Sequence, residues 1–302
     1  MKTILIDSNF LCHRAKHTTI ALEYKGVRTG IIYGFFNQLF KITETLNPDR
    51  ILFFWDSKKS ERKKIFPEYK NKDKLNLSER EIEEWRHALA QFKQLRKKIL
   101  PQLGFNNNFL QTGYESDDLI ARYVIDHSKD ENCIVTGDDD LLQLLDHAYI
   151  YNPAKDQYTY RDDFVWAYQI EPSVWAEVKK IAGCTSDKVP GIVGVGEAKA
   201  LQYIRGEMKR SLKTYQNIIS GKEVIERNHD LVVLPFKGTK EIEPAENDFK
   251  MVEFLRMCRK YGLNSFRYED KKEKIKELFN KQTKGKQNDS KKESSKKRRR
   301  KD

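Results

Sequence analysis

The stretch Val135-Thr136-Gly137-Asp138-Asp139-Asp140-Leu141-Leu142-Gln143-Leu144 places three consecutive carboxylates between two apolar runs. The run before them, Cys133 to Thr136, predicts a buried strand, and the run after them predicts a helix. Open α/β sheets bind ligands at the carboxyl ends of their strands, which is where these acids fall. Carboxylates this close together repel each other, so a neutralising cation is one explanation for them. Helix capping by Asp is the other, although a cap needs only one Asp.

Further acids follow apolar runs elsewhere in the chain. Seven of them stand just after a strand-like run or at the start of the next helix: Asp7, Asp56, Glu115, Asp117, Asp118, Asp138 and Asp140. The alternation of short strands with helices predicts an α/β fold with a parallel, twisted sheet flanked by helices. Because a parallel sheet gathers its strand ends at one rim, we expect these acids to converge. Convergence favours a divalent-metal site.

The composition indicates a polyanionic partner. The chain has 302 residues, a formal net charge of +12 and a pI near 9.3, and it is long enough for one large domain or two. Residues 281–302 carry 11 Lys and Arg against 3 Asp and Glu, with almost no apolar residues. They predict a disordered tail that tethers nucleic acid. A nuclear signal in KKRRRK, residues 296–301, is the alternative.

Several other classes of protein are disfavoured. The four cysteines are widely spaced and form no C-x-x-C pair, which argues against a zinc knuckle and a disulfide framework. His13 and His17 lack the Glu and the third ligand of a metalloprotease site. No apolar stretch approaches the length of a membrane span, and Asp7 interrupts the first apolar run too early for a signal peptide. These features predict a soluble, cytoplasmic protein without membrane contacts.

A basic segment, residues 58–74, carries eight Lys and Arg against three acids, with Phe66 and Tyr69 interleaved. Ser78 then opens a predicted helix to about residue 100, with Glu81 as its capping-box partner. A basic segment followed by a helix is typical of an arch over nucleic acid, so residues 58–100 are assigned to an arch. Charge alone leaves a solvated surface loop open as the alternative.

A glycine-rich turn lies in the second half of the chain, which is predicted to be mainly helical from residue 165 to residue 266. The turn belongs to GCTSDKVPGIVGVGEAKA, residues 183–200. Glycines let backbone N–H groups approach a phosphate without obstruction. The predicted phosphate contacts are Gly191, Gly194, Gly196, Lys188 and Lys199. An ordinary connection between two helices is the alternative.

In order along the chain, these motifs resemble the 5′-nuclease family of flap endonucleases, the 5′-nuclease domain of bacterial DNA polymerase I and stand-alone bacteriophage enzymes of the ribonuclease H/flap endonuclease type. The resemblance covers residues 2 to about 266. Its motifs are IDSNFLCHRA (6–15), GVRTGIIYGF (26–35), FFWD (53–56), ERKKIFPEYK (61–70), ESDD (115–118), TGDDDLLQL (136–144) and the glycine-rich segment. It implies a PIN-like core with a helical arch and a C-terminal helix–three-turn–helix region.

The resemblance also implies roles for individual residues. Two Mg²⁺ or Mn²⁺ ions about 4 Å apart are expected. The first ion would be held by Asp7, Asp56, Glu115 and Asp117, with Asp118 in support, and the second by Asp138, Asp140 and Asp187. DNA would be contacted by Arg14, Arg62, Lys70 and Lys179, of which Arg62 and Lys70 would neutralise the scissile phosphate. A K⁺ ion is expected at the helix–three-turn–helix region.

The implied activity is that of a 5′→3′ exonuclease and flap endonuclease, a phosphodiesterase that removes RNA primers or 5′ flaps in DNA replication and repair. The expected partners are DNA with a 5′ flap or 5′ end, RNA–DNA hybrid, a replication polymerase and a single-strand-binding protein, and the protein is expected to be a monomer. The expected domains are a nuclease core (1–164), a helical DNA-binding region (165–270) with its helix–three-turn–helix at 179–206, and the tail (271–302).

Two positions depart from the family pattern. Cys184 stands where the family has Asp, and Ala198 stands where it has Lys, with Lys199 one residue later. Cysteine is a poor ligand for Mg²⁺, so weaker binding of the second ion is expected. A catalytically weakened DNA-binding protein of the same fold is therefore the alternative function. A small toxin-type ribonuclease is disfavoured because such domains lack the arch and the glycine-rich clamp.

Overall fold

A computed structural model describes residues 1–71 and 77–283, with side chains described as far as Phe279. The α-helices are α1 (Ser8–Thr19), α2 (Gly30–Leu46), α3 (Arg62–Ile65), α4 (Glu79–Gln94), α5 (Leu100–Gln102), α6 (Ser116–Asp126), α7 (Arg161–Tyr168), α8 (Trp175–Ala182), α9 (Glu197–Ile204), α10 (Lys213–Ser220), α11 (Lys222–Val232), α12 (Met251–Tyr261) and α13 (Glu269–Thr283). The strands are β1 (Lys2–Asp7), β2 (Glu23–Tyr24), β3 (Val27–Arg28), β4 (Arg50–Phe54), β5 (Asn108–Phe109), β6 (Glu131–Val135), β7 (Tyr149–Asn152), β8 (Gln157–Thr159), β9 (Gly183–Cys184) and β10 (Val189–Pro190). Within the described ranges, no helix has both the length and the apolar character needed to cross a bilayer.

The chain divides into two compact units. The first comprises residues 1–53, 78–108 and 243–302, and the second comprises residues 54–77 and 109–242. These boundaries differ from the expected domains, because residues 243–270 belong to the first unit rather than to a C-terminal helical region. The predicted arch is also divided, since its basic segment falls in the second unit and its helix in the first. Residues 72–76 of that segment lie outside the described residues.

Helix α4 supports the start of α2 in the first unit. The side-chain Oε1 of Gln91 accepts hydrogen bonds from the backbone N–H groups of Ile31 and Ile32, at 3.1 and 3.3 Å. These donors belong to the first turn of α2, where an α-helix offers them no internal partner. Helix α4 itself begins with the predicted capping box between Ser78 and Glu81.

An aromatic cluster forms part of the core of the first unit. Its rings, with centroids 5.2 to 6.2 Å apart, belong to Phe36, Phe40, Phe254, Phe266 and Phe279. Phe279 is completely buried and lies on α13, which runs from Glu269 to Thr283. The prediction of a disordered tail from residue 271 is therefore wrong as far as Thr283. Residues 284–302 lie outside the described residues.

Residues 233–250 contain no helix or strand, although the sequence predicted a mainly helical course from residue 201 to residue 266. Hydrogen bonds to side-chain amides replace secondary structure for part of this backbone. The Asn107 amide donates to the carbonyl of Ala245 at 2.7 Å and accepts from the backbone N–H of Ala245 at 2.7 Å. Backbone polar groups of a packed irregular segment need such partners when no secondary structure supplies them.

Strand β6 anchors the sheet of the second unit. It pairs in parallel with β7, with Cys133 opposite Tyr149, and β7 pairs antiparallel with β8. Residues 132–135 of β6 are all buried, and the apolar run from Cys133 to Val135 is consistent with a parallel strand that is covered on both faces. The predicted α/β class, with mostly parallel strands flanked by helices, is confirmed.

A short hairpin and a glycine-rich loop join α8 to α9. Strands β9 and β10 form the hairpin, in which Cys184 lies opposite Val189. Gly183 has a φ of +75°, and a Cβ atom on Gly191 would lie 2.1 Å from the carbonyl oxygen of Ala182. Glycine is required at both positions, since any side chain would push the hairpin away from the end of α8.

Candidate metal centre and nucleic-acid interface

Carboxylates from distant parts of the chain surround the side chain of Lys70 in the second unit. The Lys70 ammonium lies 2.8 Å from the carboxylate of Glu115 and 3.4 Å from that of Asp187. The hydroxyl of Tyr69 contacts the same two carboxylates, at 3.0 and 3.2 Å. The backbone N–H of Lys70 also donates to the carbonyl of Asp187 at 2.8 Å. The basic segment and the hairpin are thereby tied together at the acids.

Three more of the predicted acids share this electrostatic environment. Asp56 accepts hydrogen bonds from the backbone N–H and the hydroxyl of Ser116, at 2.9 and 2.8 Å, and its charge acts on Glu115. The charge of Asp117 acts on Lys70. Asp138 is influenced by both Lys70 and Asp187. The cluster is therefore continuous from the end of β4 to the residues that follow β6.

A compact donor group lies at one side of the cluster. Ligand atoms of Asp140, Cys184 and Asp187 all lie within 4.8 Å of one another, and no other group of three such residues was found in the described part of the chain. The sulfur of Cys184 is 3.6 Å from Oδ2 of Asp140 and 3.0 Å from the hydroxyl of Ser186. Cys184 and Tyr69 also belong to one buried cluster, together with Val189, Leu231 and Val232. This geometry resembles a metal subsite with one sulfur donor.

Burial, and to a lesser extent repulsion between carboxylates, raises the pKa values of two acids in the cluster. Desolvation and the charge of Asp140 raise the pKa of Asp138 to about 6, although its side chain remains open to solvent. Burial raises the pKa of Glu115 in spite of the nearby Lys70 ammonium. Burial alone would lower the pKa of Lys70, but the charges of Glu115 and its neighbours outweigh it and raise that pKa well above its ordinary value. A divalent cation would relieve this repulsion.

Two of the predicted metal ligands also cap helices. Asp138 accepts from the backbone N–H of Asp140 at 2.9 Å and begins a 3₁₀ helix, where the sequence predicted an α-helix. In the first unit, Asp7 accepts from the backbone N–H of Phe10 at 3.0 Å and begins α1. The capping alternative is thus confirmed for Asp138, and Asp7 caps a helix in the same way. A cap occupies one carboxylate oxygen, so capping does not exclude metal binding. Asp139, which lies between the two predicted ligands Asp138 and Asp140, is exposed.

Arg62 and Asp118 form a buried salt bridge. The guanidinium donates to both carboxylate oxygens, at 2.7 and 2.8 Å, and the two residues are only 2% and 0% exposed. Asp118 also accepts from the backbone N–H groups of Glu115 and Phe236, while Arg62 also donates to the carbonyl of Leu231. This geometry contradicts the assignment of Arg62 to the scissile phosphate and of Asp118 to a metal ion. Each group is neutralised by the other and is sealed from solvent.

Two predicted DNA contacts have protein partners. Lys179 is only 6% exposed, and its ammonium lies 3.0 Å from Asp140 and 2.7 Å from Glu197. It therefore connects α8, α9 and the acidic cluster, which corrects its predicted position facing DNA. Arg14 lies on α1 in the first unit and donates to the side chain of Gln38 at 3.2 Å.

The other predicted phosphate contacts lie on the hairpin and its loop. Lys188 is exposed in the hairpin turn, and Lys199 donates to the carbonyl of Gly194 at 2.8 Å. Gly196 is the N-cap residue of α9, and no atom lies within 4 Å of the position that its Cβ would take. Backbone N–H groups at the start of α9 are therefore accessible to an anion.

The sequence did not single out Tyr69 as a site residue. Burial raises the pKa of its hydroxyl, and the charge of Glu115 acts in the same direction, so the hydroxyl stays protonated and donates to the carboxylates. The interleaving of aromatic residues with basic ones was the available signal. It did not show which aromatic residue would reach the acids.

Comparisons with known proteins identify a family model and curated relatives that resemble this chain in sequence. A family model described as "5'-3' exonuclease, N-terminal resolvase-like domain" matches residues 2–169. The chain is 35% identical over 205 residues to a 5′-3′ exonuclease of Mycoplasmopsis pulmonis, covering 66% of this chain and 64% of that protein. It is 31% identical over 216 residues to a 5′-3′ exonuclease of Bacillus subtilis, covering 68% of this chain and 70% of that protein. The chain thus spans about two thirds of the length of both relatives.

The fold is also found among solved structures. The bacteriophage T5 D15 flap endonuclease, in a pseudo-enzyme-product complex with DNA and metal ions, matches with a TM-score of 0.66 and 20% identity. The match covers 78% of this chain and 90% of that one. At this identity the likeness establishes a shared fold.

The buried salt bridge leads to a test that separates a structural role from a metal-binding one. We expect Asp118→Asn to lower the free energy of unfolding by about 3–5 kcal/mol, because it leaves the charge of Arg62 buried without a partner. We expect added Mn²⁺ to raise the melting temperature of wild type, and it should raise that of the variant by a similar amount. Chemical denaturation and thermal melts with and without Mn²⁺ measure both quantities. Lys64→Gln, which removes an exposed ion pair with Glu61, should change stability by less than about 1 kcal/mol.

If Asp118→Asn abolished the effect of Mn²⁺ and left the metal-free protein as stable as before, Asp118 would be a metal ligand after all.

The raised pKa of Asp138 predicts a dependence of stability on pH. Its value of about 6 in the folded protein lies above the ordinary Asp value of about 3.9, so ionisation of Asp138 destabilises the metal-free fold. This penalty grows as the pH rises from about 4 to about 6 and is complete above that range. Asp138→Asn should therefore raise metal-free stability at pH 7.5 by ~1 kcal/mol, after allowance for solvent screening. Asn also retains the helix cap.

Denaturant unfolding across this pH range measures the effect. The gain should shrink as the pH approaches 4, and Asp162→Asn, a change at a side chain that is 95% exposed, should show no comparable gain. A gain of the same size at every pH would contradict the electrostatic explanation.

Proposed function

The chain belongs to the 5′-3′ exonuclease family, and from this premise we propose that it is a divalent-metal-dependent, structure-specific 5′-nuclease. It would hydrolyse phosphodiester bonds at 5′ ends and 5′ flaps of DNA. The same activity would remove RNA primers or flaps during replication and repair. The curated relatives are named 5′-3′ exonucleases, and the T5 protein of the same fold is named a flap endonuclease.

The proposal is carried by one observation, the convergence of carboxylates on Lys70. Glu115 opens α6, Asp187 lies in the turn of the hairpin, and Lys70 holds both at hydrogen-bond distance. Acids this close are unfavourable without a cation, and their oxygens are the ligands that Mg²⁺ and Mn²⁺ prefer.

One compact donor group was found in the described part of the chain, and we assign the remaining acids of the cluster to another ion. Asp56, Glu115 and Asp117 would serve the first ion, and Asp138, Asp140 and Asp187 the second, with Cys184 beside them. The role of Asp7 as a ligand of the first ion stays a prediction. Such ions supply a nucleophilic hydroxide at neutral pH and stabilise the leaving oxygen.

The protein side chains would position and neutralise the substrate. We assign Lys70 to the scissile phosphate, because its side chain is 34% exposed while its charge already faces the acids. Tyr69 would keep Glu115 and Asp187 oriented through its hydroxyl. Lys179 would hold Asp140 in place.

The duplex would be bound by the hairpin and its loop. Gly194 and Gly196 leave the backbone accessible there, and Lys188 and Lys199 add positive charge, which attracts phosphates. A K⁺ ion at this loop, contacts of Arg14 with DNA, monomeric state, and association with a polymerase or a single-strand-binding protein stay predictions. A bacteriophage source and location in a bacterial cytoplasm also stay predictions.

Cys184 favours a second candidate, a protein that binds flaps but cuts them poorly. A sulfur donor replaces a carboxylate in the subsite of Asp140 and Asp187, and Mg²⁺ binds sulfur weakly. In that case the chain would recognise DNA structure without efficient hydrolysis.

Cleavage of a labelled 5′-flap duplex under single-turnover conditions tests the proposal. We expect wild type to cut in Mn²⁺ or Mg²⁺ and to be inactive in EDTA. Asp138→Asn should lower the rate by at least about 100-fold, because a lost metal ligand removes several kcal/mol of transition-state stabilisation. Asp162→Asn, at an exposed acid outside the cluster, should cut like wild type.

Cleavage that persists in EDTA, or an Asp138→Asn variant as fast as wild type, would overturn the proposal. Cys184→Asp separates the two candidates. Activity that is found only in this variant would identify the natural chain as a binding protein, whereas efficient cutting by wild type would exclude that role.

A further inference from the structure

We infer that Cys184 makes the subsite of Asp140, Cys184 and Asp187 selective for a thiophilic divalent ion such as Zn²⁺ over Mg²⁺. The inference rests on the proposed function, since it concerns the ion of the same catalytic centre. It goes beyond that function by assigning the chemical class of the ion to one side chain of this chain.

The distances fit a zinc ion held by sulfur and oxygen. Typical bond lengths are about 2.3 Å for Zn–S and about 2.1 Å for Zn–O, which place the sulfur and oxygen of a tetrahedral site about 3.6 Å apart. The sulfur of Cys184 and Oδ2 of Asp140 are 3.6 Å apart before any ion is bound. A carboxylate oxygen of Asp187 lies within 4.8 Å of both. Three protein ligands and one open position are the usual pattern of a catalytic zinc site.

The chemistry of the donors discriminates between ions. Mg²⁺ requires hard oxygen ligands in a nearly octahedral shell, and it gains little from a thiolate. Zn²⁺ accepts thiolate and carboxylate together and tolerates four ligands. A Cys at this position therefore weakens the subsite for Mg²⁺ and strengthens it for Zn²⁺.

The sulfur is held toward the acids by its surroundings. Cys184 is only 7% exposed, lies on β9 opposite Val189, and belongs to a buried cluster that also contains Tyr69. The hydroxyl of Ser186, 3.0 Å from the sulfur, provides a hydrogen bond that can support a thiolate. Lys179, 3.0 Å from Asp140, fixes the neighbouring carboxylate. Such outer hydrogen bonds orient metal ligands and strengthen binding.

Titration of the metal-free, full-length protein with Cd²⁺ or Co²⁺ tests the sulfur ligand directly. Sulfur-to-metal charge-transfer absorption should appear with one equivalent of ion in wild type and should be lost in Cys184→Ser. Cys258→Ser is the matched control, because Cys258 is also buried but belongs to α12 and not to the donor group. It should retain the band.

Calorimetric titrations with Zn²⁺ and Mg²⁺ then measure the selectivity. In Cys184→Asp the ratio of Mg²⁺ to Zn²⁺ dissociation constants should fall at least about 100-fold, since removal of even an outer partner of a metal ligand costs 10- to 100-fold in affinity. Circular dichroism confirms that each variant is folded. Because Asp can replace Cys as a ligand, this variant remains informative if Cys184→Ser does not fold.

A charge-transfer band that survives in Cys184→Ser, a wild-type protein without the band, or an unchanged selectivity ratio in Cys184→Asp would overturn the inference. These measurements detect binding and not hydrolysis. A chain that shows the band but does not cut DNA would refute the proposed function alone. A chain that cuts DNA but shows no band would refute this inference alone.

Discussion

Repulsion between carboxylates that the fold brings together is the constraint on which the second unit depends. Three of these acids are paired with a cation of the protein. The pairs are Arg62 with Asp118, Lys70 with Glu115 and Lys179 with Asp140, and they differ in burial. Arg62 and Asp118 are sealed from solvent and bound to each other through both carboxylate oxygens, so their role is structural. The side chain of Lys70 is 34% exposed, so its pair with Glu115 can open, which would free Glu115 for a metal ion and Lys70 for a phosphate.

This difference in burial separates structure from function within a short segment. Arg62 and Lys70 belong to one basic motif, and charge alone gives them the same role. A buried ion pair is costly to break, whereas a partly exposed pair exchanges partners readily. The α3 helix and the turn that follows it place Tyr69 between these two cations. Its ring belongs to a buried cluster with Cys184 and Val189, and its hydroxyl contacts the carboxylates of Glu115 and Asp187.

The hairpin brings two of the proposed metal ligands, Cys184 and Asp187, close to Asp140. Close backbone approach at Gly191 and the positive φ of Gly183 fold the hairpin back onto α8. Cys184 and Asp187 are thereby placed on the side of the hairpin that faces Asp140. A larger residue at either glycine would displace both proposed ligands, because it would push the hairpin away from α8.

Much of the fold was predictable because its signals are local. The apolar run before Asp138, the capping box of Ser78 and the amphipathic pattern of α2 each depend on neighbours in sequence. The acids of the candidate site could be identified for the same reason, since most of them stand at the end of a strand or the start of a helix. The features that were not predicted depend on contacts between residues far apart in the sequence. Neither the pairing of Arg62 with Asp118 nor the irregular course of residues 233–250 leaves a periodic trace in the sequence.

The position of a bound ion tests the central claim most directly. Crystals of the protein soaked in Mn²⁺ and measured by anomalous scattering would locate it. We predict an anomalous peak within coordination distance of Asp140 and Asp187, together with a Lys70 ammonium that has moved away from at least one of its two carboxylates. A cluster without a peak, in which Lys70 still bridges Glu115 and Asp187, would contradict the claim that these acids gather to hold a metal ion.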